Sequence, residues 1–124
     1  MCLIPTVKIK DYLNELFRKD KNKKSRPDKL FSLSVTDIQN IWDIQHGLDI
    51  WTGTPLYIDS FSLDRIYNNK PHIFGNIMIV HAHHNNFRGR YSWQRYYDLN
   101  ISNYKNARTK EEVTSIIERI EKGK

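Results

Sequence analysis

The chain reads as an α+β domain on three observations. Two segments with helical spacing each follow a capping box, Thr36 to Gln39 and Thr109 to Glu112. Between them lie two short β-prone runs separated by a turn-rich loop. A polar segment follows the second run directly and has the length of a short helix. At 124 residues the chain suits one domain with a modest core, and 12% aromatic content is too much for a chain disordered throughout.

In chain order, residues 7–18 carry Ile9, Tyr12, Leu13, Leu16 and Phe17 at helical spacing, which predicts a short amphipathic helix. Residues 18–29 hold seven basic side chains against Asp20 and Asp28 and no large apolar one, so they read as a solvated arm. Lys23 and Lys24 in that arm are candidate phosphate contacts, and an exposed linker is the plainer alternative. The division expected is 1–30 for helix and arm, and 31–124 for the folded domain.

A helix over about 37–46 follows the first capping box, with Ile38, Ile41 and Trp42 inward and Gly47 as its stop. Thr52-Gly53 and Thr54-Pro55 then mark turns within two short strands or a loop. A strand end at 63–66, a loop over 67–75, a β-prone run over 76–81 and a helix from about Ala82 to Gly89 give a ββα unit. The last helix, at about 110–122, stripes Val113, Ile116, Ile117 and Ile120 on one face.

The formal charge of +6 favours a polyanionic partner, nucleic acid first. A lone Cys2 excludes an internal disulfide framework and a cysteine zinc site. No run has membrane-spanning length and no signal peptide is visible, so a cytoplasmic protein, or a nuclear one in a eukaryotic host, is expected. Oligomeric state is left open.

Chemistry concentrates in residues 62–85. Asp64 and Asn85 supply hard oxygen donors suited to Mg2+ or Mn2+, while His81, His83 and His84 would admit softer metals. Taken singly, Asp64 beside Arg65 is an ordinary ion pair and Asn76 or Asn85 an ordinary turn or cap residue. Downstream, Arg88, Arg90 and Arg95 alternate with Phe87, Tyr91, Trp93, Tyr96 and Tyr97; the arginines are expected outward on phosphates, with Trp93 and Tyr96 inward.

The segment GLDIWTGTPLYIDSFSLDRIYNNKPHIFGNIMIVHAHHNNFRG, residues 47–89, resembles the HNH endonucleases, the ββα-metal nucleases. The likeness is to the subgroup reading S-L-D-R-I-D, then N-x-K, then G-N-V; it rests on T-G-x-P-L, S-L-D-R-I, N-x-K, G-N-I and an asparagine nine positions after Asn76. It implies a ββα-metal core with flanking helices and metal-dependent hydrolysis of DNA phosphodiesters. Asp64 and Asn85 would hold Mg2+ or Mn2+, Asn76 would pin the loop and orient the catalytic group, and Lys70 in the N-x-K turn would meet nucleic acid. Freestanding domains of this kind are common in phages and other mobile elements.

This chain departs from the pattern in three ways. Arg65 stands where a histidine base is usual and stays protonated at neutral pH, so it could steady phosphate charge but not take a proton. The base would then be His84, His81, His83 or His72 in falling order of preference, or water on the metal alone; a catalytically impaired nucleic-acid-binding module is the alternative. The places of two C-x-x-C pairs read Asp49-Ile50-Trp51-Thr52 and His81-Ala82-His83-His84, so a structural zinc is not expected and packing around Trp51 would replace it. Tyr67 replaces the second aspartate of the motif.

Overall fold

The computed structural model describes residues 33–57 and 61–123, together with Asp11. The helix expected over 7–18 and the basic arm with Lys23 and Lys24 therefore lie outside the described residues, as does the boundary at 30/31.

Helix α1 (Val35–Ile44) begins two residues before the start expected for the helix over 37–46. Ser34, not Thr36, caps it: its Oγ accepts from Asp37 N at 3.1 Å while Asp37 Oδ2 accepts from Ser34 N at 3.1 Å. An acidic N3 residue also meets the positive end of the helix, which Gln39 would not. Ile38, Ile41 and Trp42 face inward as expected. The stop spreads over two residues, His46 (φ 57°) and Gly47 (φ 68°), with Gly47 N donating to Trp42 O at 3.0 Å.

Residues 48–57 form a loop with one isolated bridge, Leu48 to Pro55. Strands β1 (Phe61–Arg65) and β2 (Ile77–His81) pair antiparallel in the register Phe61 to His81, Leu63 to Ile79 and Arg65 to Ile77. Helix α2 (Ala82–Arg88) starts at once after β2 and packs on both strands. Both faces of the sheet are thus covered, and Ile77, Met78, Ile79 and Val80 are fully buried.

Two further helices follow among the described residues. Helix α3 (Trp93–Leu99) is capped by Ser92 Oγ, which accepts from Arg95 N at 3.2 Å. The aromatic and basic interleave of its sequence masks the helical periodicity that buries Trp93, Tyr96 and Tyr97. A 3₁₀ turn (Ile101–Asn103) leads to α4 (Lys110–Lys122), whose Thr109–Glu112 capping box and buried Val113, Ile117 and Ile120 follow the sequence expectation. Helices α1 and α4 pack on each other and on β2. The core includes Trp51, whose ring meets Tyr96 edge-on at 5.5 Å and Trp93 at 6.5 Å.

The outer edge of β2 is closed by side chains. Gln45, 1% exposed, accepts from Ile79 N at 2.8 Å and donates to Ile79 O at 2.7 Å, so it pairs with the strand as a neighbouring strand would. Asp49 Oδ1 accepts from His81 N at 2.9 Å one step further along.

Candidate functional site

The strand register sets which groups meet. Asp64 pairs with Met78 and Ser62 with Val80, so these four side chains share the face covered by α2. Asn85 on α2 reaches β1 through its Nδ2, which donates to Ser62 Oγ at 2.7 Å and Leu63 O at 3.3 Å. The carbonyl of Leu63 accepts only, which fixes the carboxamide with its oxygen turned away from that bond. One turn later Arg88 contacts β1 at Asp64 and Arg65 and the following Ile66, so Asp64 lies between the two points where α2 touches the strand.

Arg88 corrects the expectation that it faces outward onto phosphate: it is 1% exposed and fully engaged. Its Nη1 lies 3.0 Å from Asp64 Oδ1 and donates to Arg65 O at 2.5 Å. Nη2 donates to Ile66 O at 2.8 Å and Nε to Tyr91 O at 2.9 Å. The planar fork satisfies three carbonyls at the end of β1 and beyond α2, work a solvated lysine-type cation could not do. The physical reason is position: α2 presents residues 84 and 88 to the interior on successive turns.

Asp64 is also buried. Burial pushes its carboxyl up to about 6, against the opposing pull of the Arg88 charge and hydrogen bond and the weaker Arg65 charge. Among the described residues its Oδ2 has no hydrogen-bond partner. A carboxylate oxygen without a partner and a carboxamide oxygen on the facing helix have the donor chemistry that Mg2+ or Mn2+ accepts, and a pair of protein ligands leaves positions for water and phosphate. Among the described residues no three His, Cys, Asp or Glu side chains are grouped to hold a metal ion.

Asn76, 3% exposed, ties the loop together. Its Oδ1 accepts from Tyr67 N at 2.9 Å, and its Nδ2 donates to Tyr67 O and Pro71 O, each at 3.1 Å. Asn76→Ala strands those loop groups and is expected to cost about 1–3 kcal/mol. Thermal unfolding should show the loss, and limited proteolysis should show faster cutting within 66–76.

The imidazoles divide. His81 pairs with Phe61, three residues along β2 from Met78, which is about 10 Å of strand. The odd separation turns it to the face opposite Asp64. Its ring nitrogen Nε2 shares a hydrogen bond with Thr54 Oγ1 at 2.8 Å. His84 is 1% exposed, with Nδ1 2.8 Å from Tyr96 Oη and Nε2 4.0 Å from Asp49 Oδ2. Burial lowers its pKa to about 4, with Asp49 opposing and His83 and His81 adding to the effect, so the ring is neutral at pH 7. His72 is buried in the loop that Asn76 holds, and His83 is exposed. Thus neither of the two preferred histidines joins Asp64 from an accessible position.

A group the sequence undervalued is Asp49, fully buried. Besides His81 N, it accepts from Trp51 N at 3.0 Å, Thr52 N at 2.9 Å and Thr52 Oγ1 at 3.0 Å. Thr52 Oγ1 in turn meets Thr54 Oγ1 at 2.8 Å, and Thr54 meets His81. Positions 49, 52, 81 and 84 therefore do converge: Asp49 is hydrogen-bonded to residues 52 and 81, and His84 lies 4.0 Å from it. The local sign was the Asp-x-x-Thr turn, in which a carboxylate accepts from the amides two and three residues on.

The other described cations expected on nucleic acid face water. Lys70, Arg90 and Arg95 are exposed, and Lys70 also sits over the Tyr67 ring at 4.9 Å. Arg65 is half-buried, and its Nη1 donates to Lys70 O at 3.3 Å. No helix among the described residues is long and apolar enough to cross a membrane. Compared with known protein families, with curated proteins and with solved structures, the chain matches none.

Proposed function

We propose that the chain is an HNH-type endonuclease that hydrolyses phosphodiester bonds in DNA, with β1, β2 and α2 as its ββα-metal core. The observation carrying the proposal is Asp64 Oδ2 on β1, without a hydrogen-bond partner among the described residues, while the helix that follows β2 sets Arg88 on Asp64 Oδ1 and Asn85 on the carbonyl of the neighbouring Leu63. Asp64 and Asn85 would hold Mg2+ or Mn2+. When bound, such an ion withdraws charge from a phosphate oxygen and steadies the leaving oxygen. Arg88 keeps Asp64 aimed while its charge favours the ionised carboxylate. Arg65, at the loop edge, is suited to charge on the scissile phosphate but not to accepting a proton. Lys70, Arg90 and Arg95 would attract the polyanion from outside.

Supercoiled plasmid incubated with protein and Mg2+ or Mn2+ should be nicked or linearised, and EDTA should stop it. Asp64→Ala and Asn85→Ala should each remove cleavage while leaving DNA affinity nearly intact. Full activity in Asp64→Ala would overturn the site. Arg65→His should raise the rate if a proton acceptor is what the site lacks.

A second function has support in His84. With both ring nitrogens facing interior partners, it is a poor proton acceptor for a substrate, which favours a domain that binds nucleic acid and has lost cleavage. Salt-sensitive DNA binding with no metal-supported cleavage would select that function.

A further inference from the structure

On the side of the domain where α2 begins, aromatic rings form a row. Tyr57 and His81 lie 5.7 Å apart by centroids, His81 and His83 stack at 5.8 Å with planes 9° apart, and Phe87 meets His83 edge-on at 6.3 Å. Tyr57 and Phe87 are 66% and 68% exposed. Large rings normally bury themselves, so two this open on one row form a surface that no described residue covers. Beside the row opens a cleft of about 510 Å³, bounded by His81, His83 and His84 on one side and by Tyr104, Lys105 and Asn106 on the other. Its size is within the range of about 300–1,000 Å³ that holds small planar ligands.

We propose that this ring row and cleft bind single-stranded nucleic acid, with unpaired bases stacking on Tyr57, Phe87 and Tyr104 and Lys105 meeting the phosphates. A duplex hides its base faces within its own stack, whereas an unpaired base offers a flat π-face to any ring, whatever its sequence. Charge favours the same occupant: the chain carries +6 and the cleft wall offers a lysine and an asparagine amide, with no carboxylate among its described residues. The proposal names the form of substrate for the nuclease described above and rests on that function for the choice of polymer. It involves neither Asp64 nor Asn85.

The test uses the full chain in EDTA, where cleavage plays no part. Binding of a labelled 12-residue oligodeoxythymidine, an abasic oligomer of equal charge and a 12-base-pair duplex is followed by fluorescence anisotropy. The wild type should prefer the oligodeoxythymidine to both others by at least about tenfold, since each stacked base contributes roughly 5- to 150-fold in affinity. Phe87→Leu and Tyr104→Leu, exposed positions where folding should be retained, keep apolar bulk but remove the flat ring. Each should weaken oligodeoxythymidine binding about 5-fold or more and leave duplex binding unchanged. Equal affinity for the abasic oligomer, a preference for duplex, or unaltered binding in both variants would overturn the proposal. Overturning it while plasmid cleavage persists leaves the nuclease intact; base-dependent binding without metal-supported cleavage supports the platform and removes the nuclease.

Discussion

Arg88→Met is expected to destabilise the domain by about 3–5 kcal/mol, enough to remove much of the stability of a domain this size. Methionine fits the space of the stem but supplies no donors. The carbonyls of Arg65, Ile66 and Tyr91 lose their partner, and Asp64 is left buried with only the weaker Arg65 charge to offset its own. Urea denaturation should show the midpoint falling with little change in slope. Adding Asp64→Asn to this variant should recover part of the loss, because the amide carries no charge to bury. A coupling of about 1–3 kcal/mol between the two positions is expected from a double-mutant cycle. An Arg88→Met protein within about 0.5 kcal/mol of the wild type, as an inconsequential surface change would be, contradicts the interior role assigned to this arginine.

The second large effect is hidden in the wild type. Asp64 has its pKa raised from the ordinary 3.8 to about 6, so between those values the folded chain keeps a proton that the unfolded chain has released. Its contribution is full below the unfolded value and is lost as pH rises towards 6, at about 1.4 kcal/mol per pH unit. His84 has its pKa lowered from 6.5 to about 4, so over nearly the same window the unfolded chain holds a proton that the folded chain refuses. That contribution is full above 6.5 and is lost as pH falls, at the same rate of about 1.4 kcal/mol per unit.

The two slopes oppose each other, so these groups together leave stability nearly flat from pH 4 to 6. His84→Asn, which keeps a hydrogen-bonding atom near Tyr96 Oη, should unmask a stability that falls as pH rises. Asp64→Asn should unmask one that climbs. Denaturant midpoints taken at several pH values in EDTA, and expressed as differences from the wild type, cancel the contributions of other groups. Parallel pH profiles for both variants and the wild type would contradict the pair of shifts.

What could be read from the residues in order was local. Thr109 and Glu112 lie one turn apart whatever surrounds them, and Val113, Ile117 and Ile120 fall on one side of any helix built there. The two β-prone runs and the asparagine between them were legible for the same reason, since Asn76 bonds groups within nine residues of itself. At α1 two caps competed within a few residues, and the choice of Ser34 over Thr36 turned on the better N3 partner. Arg88 misled because an arginine among aromatics fits an outward phosphate contact and an inward carbonyl clamp equally well; only the packing of α2 on β1 separates them.

The sequence by itself determined the α+β class, the order strand, loop, strand, helix, and the terminal helix with its cap, because these depend on spacing along the chain. Tertiary structure alone decided that Asp49 gathers residues 49, 52 and 81, that Gln45 closes the edge of β2, and that His84 is neutral inside while His83 is outside. Those outcomes depend on burial and on partners more than thirty residues away, since the cost of an unsatisfied polar group or an unpaired charge exists only once water has been excluded. The ring row beside α2 has the same origin: Tyr57, His81 and Phe87 come from a loop, a strand and a helix, and only the docking of these elements sets their faces in line.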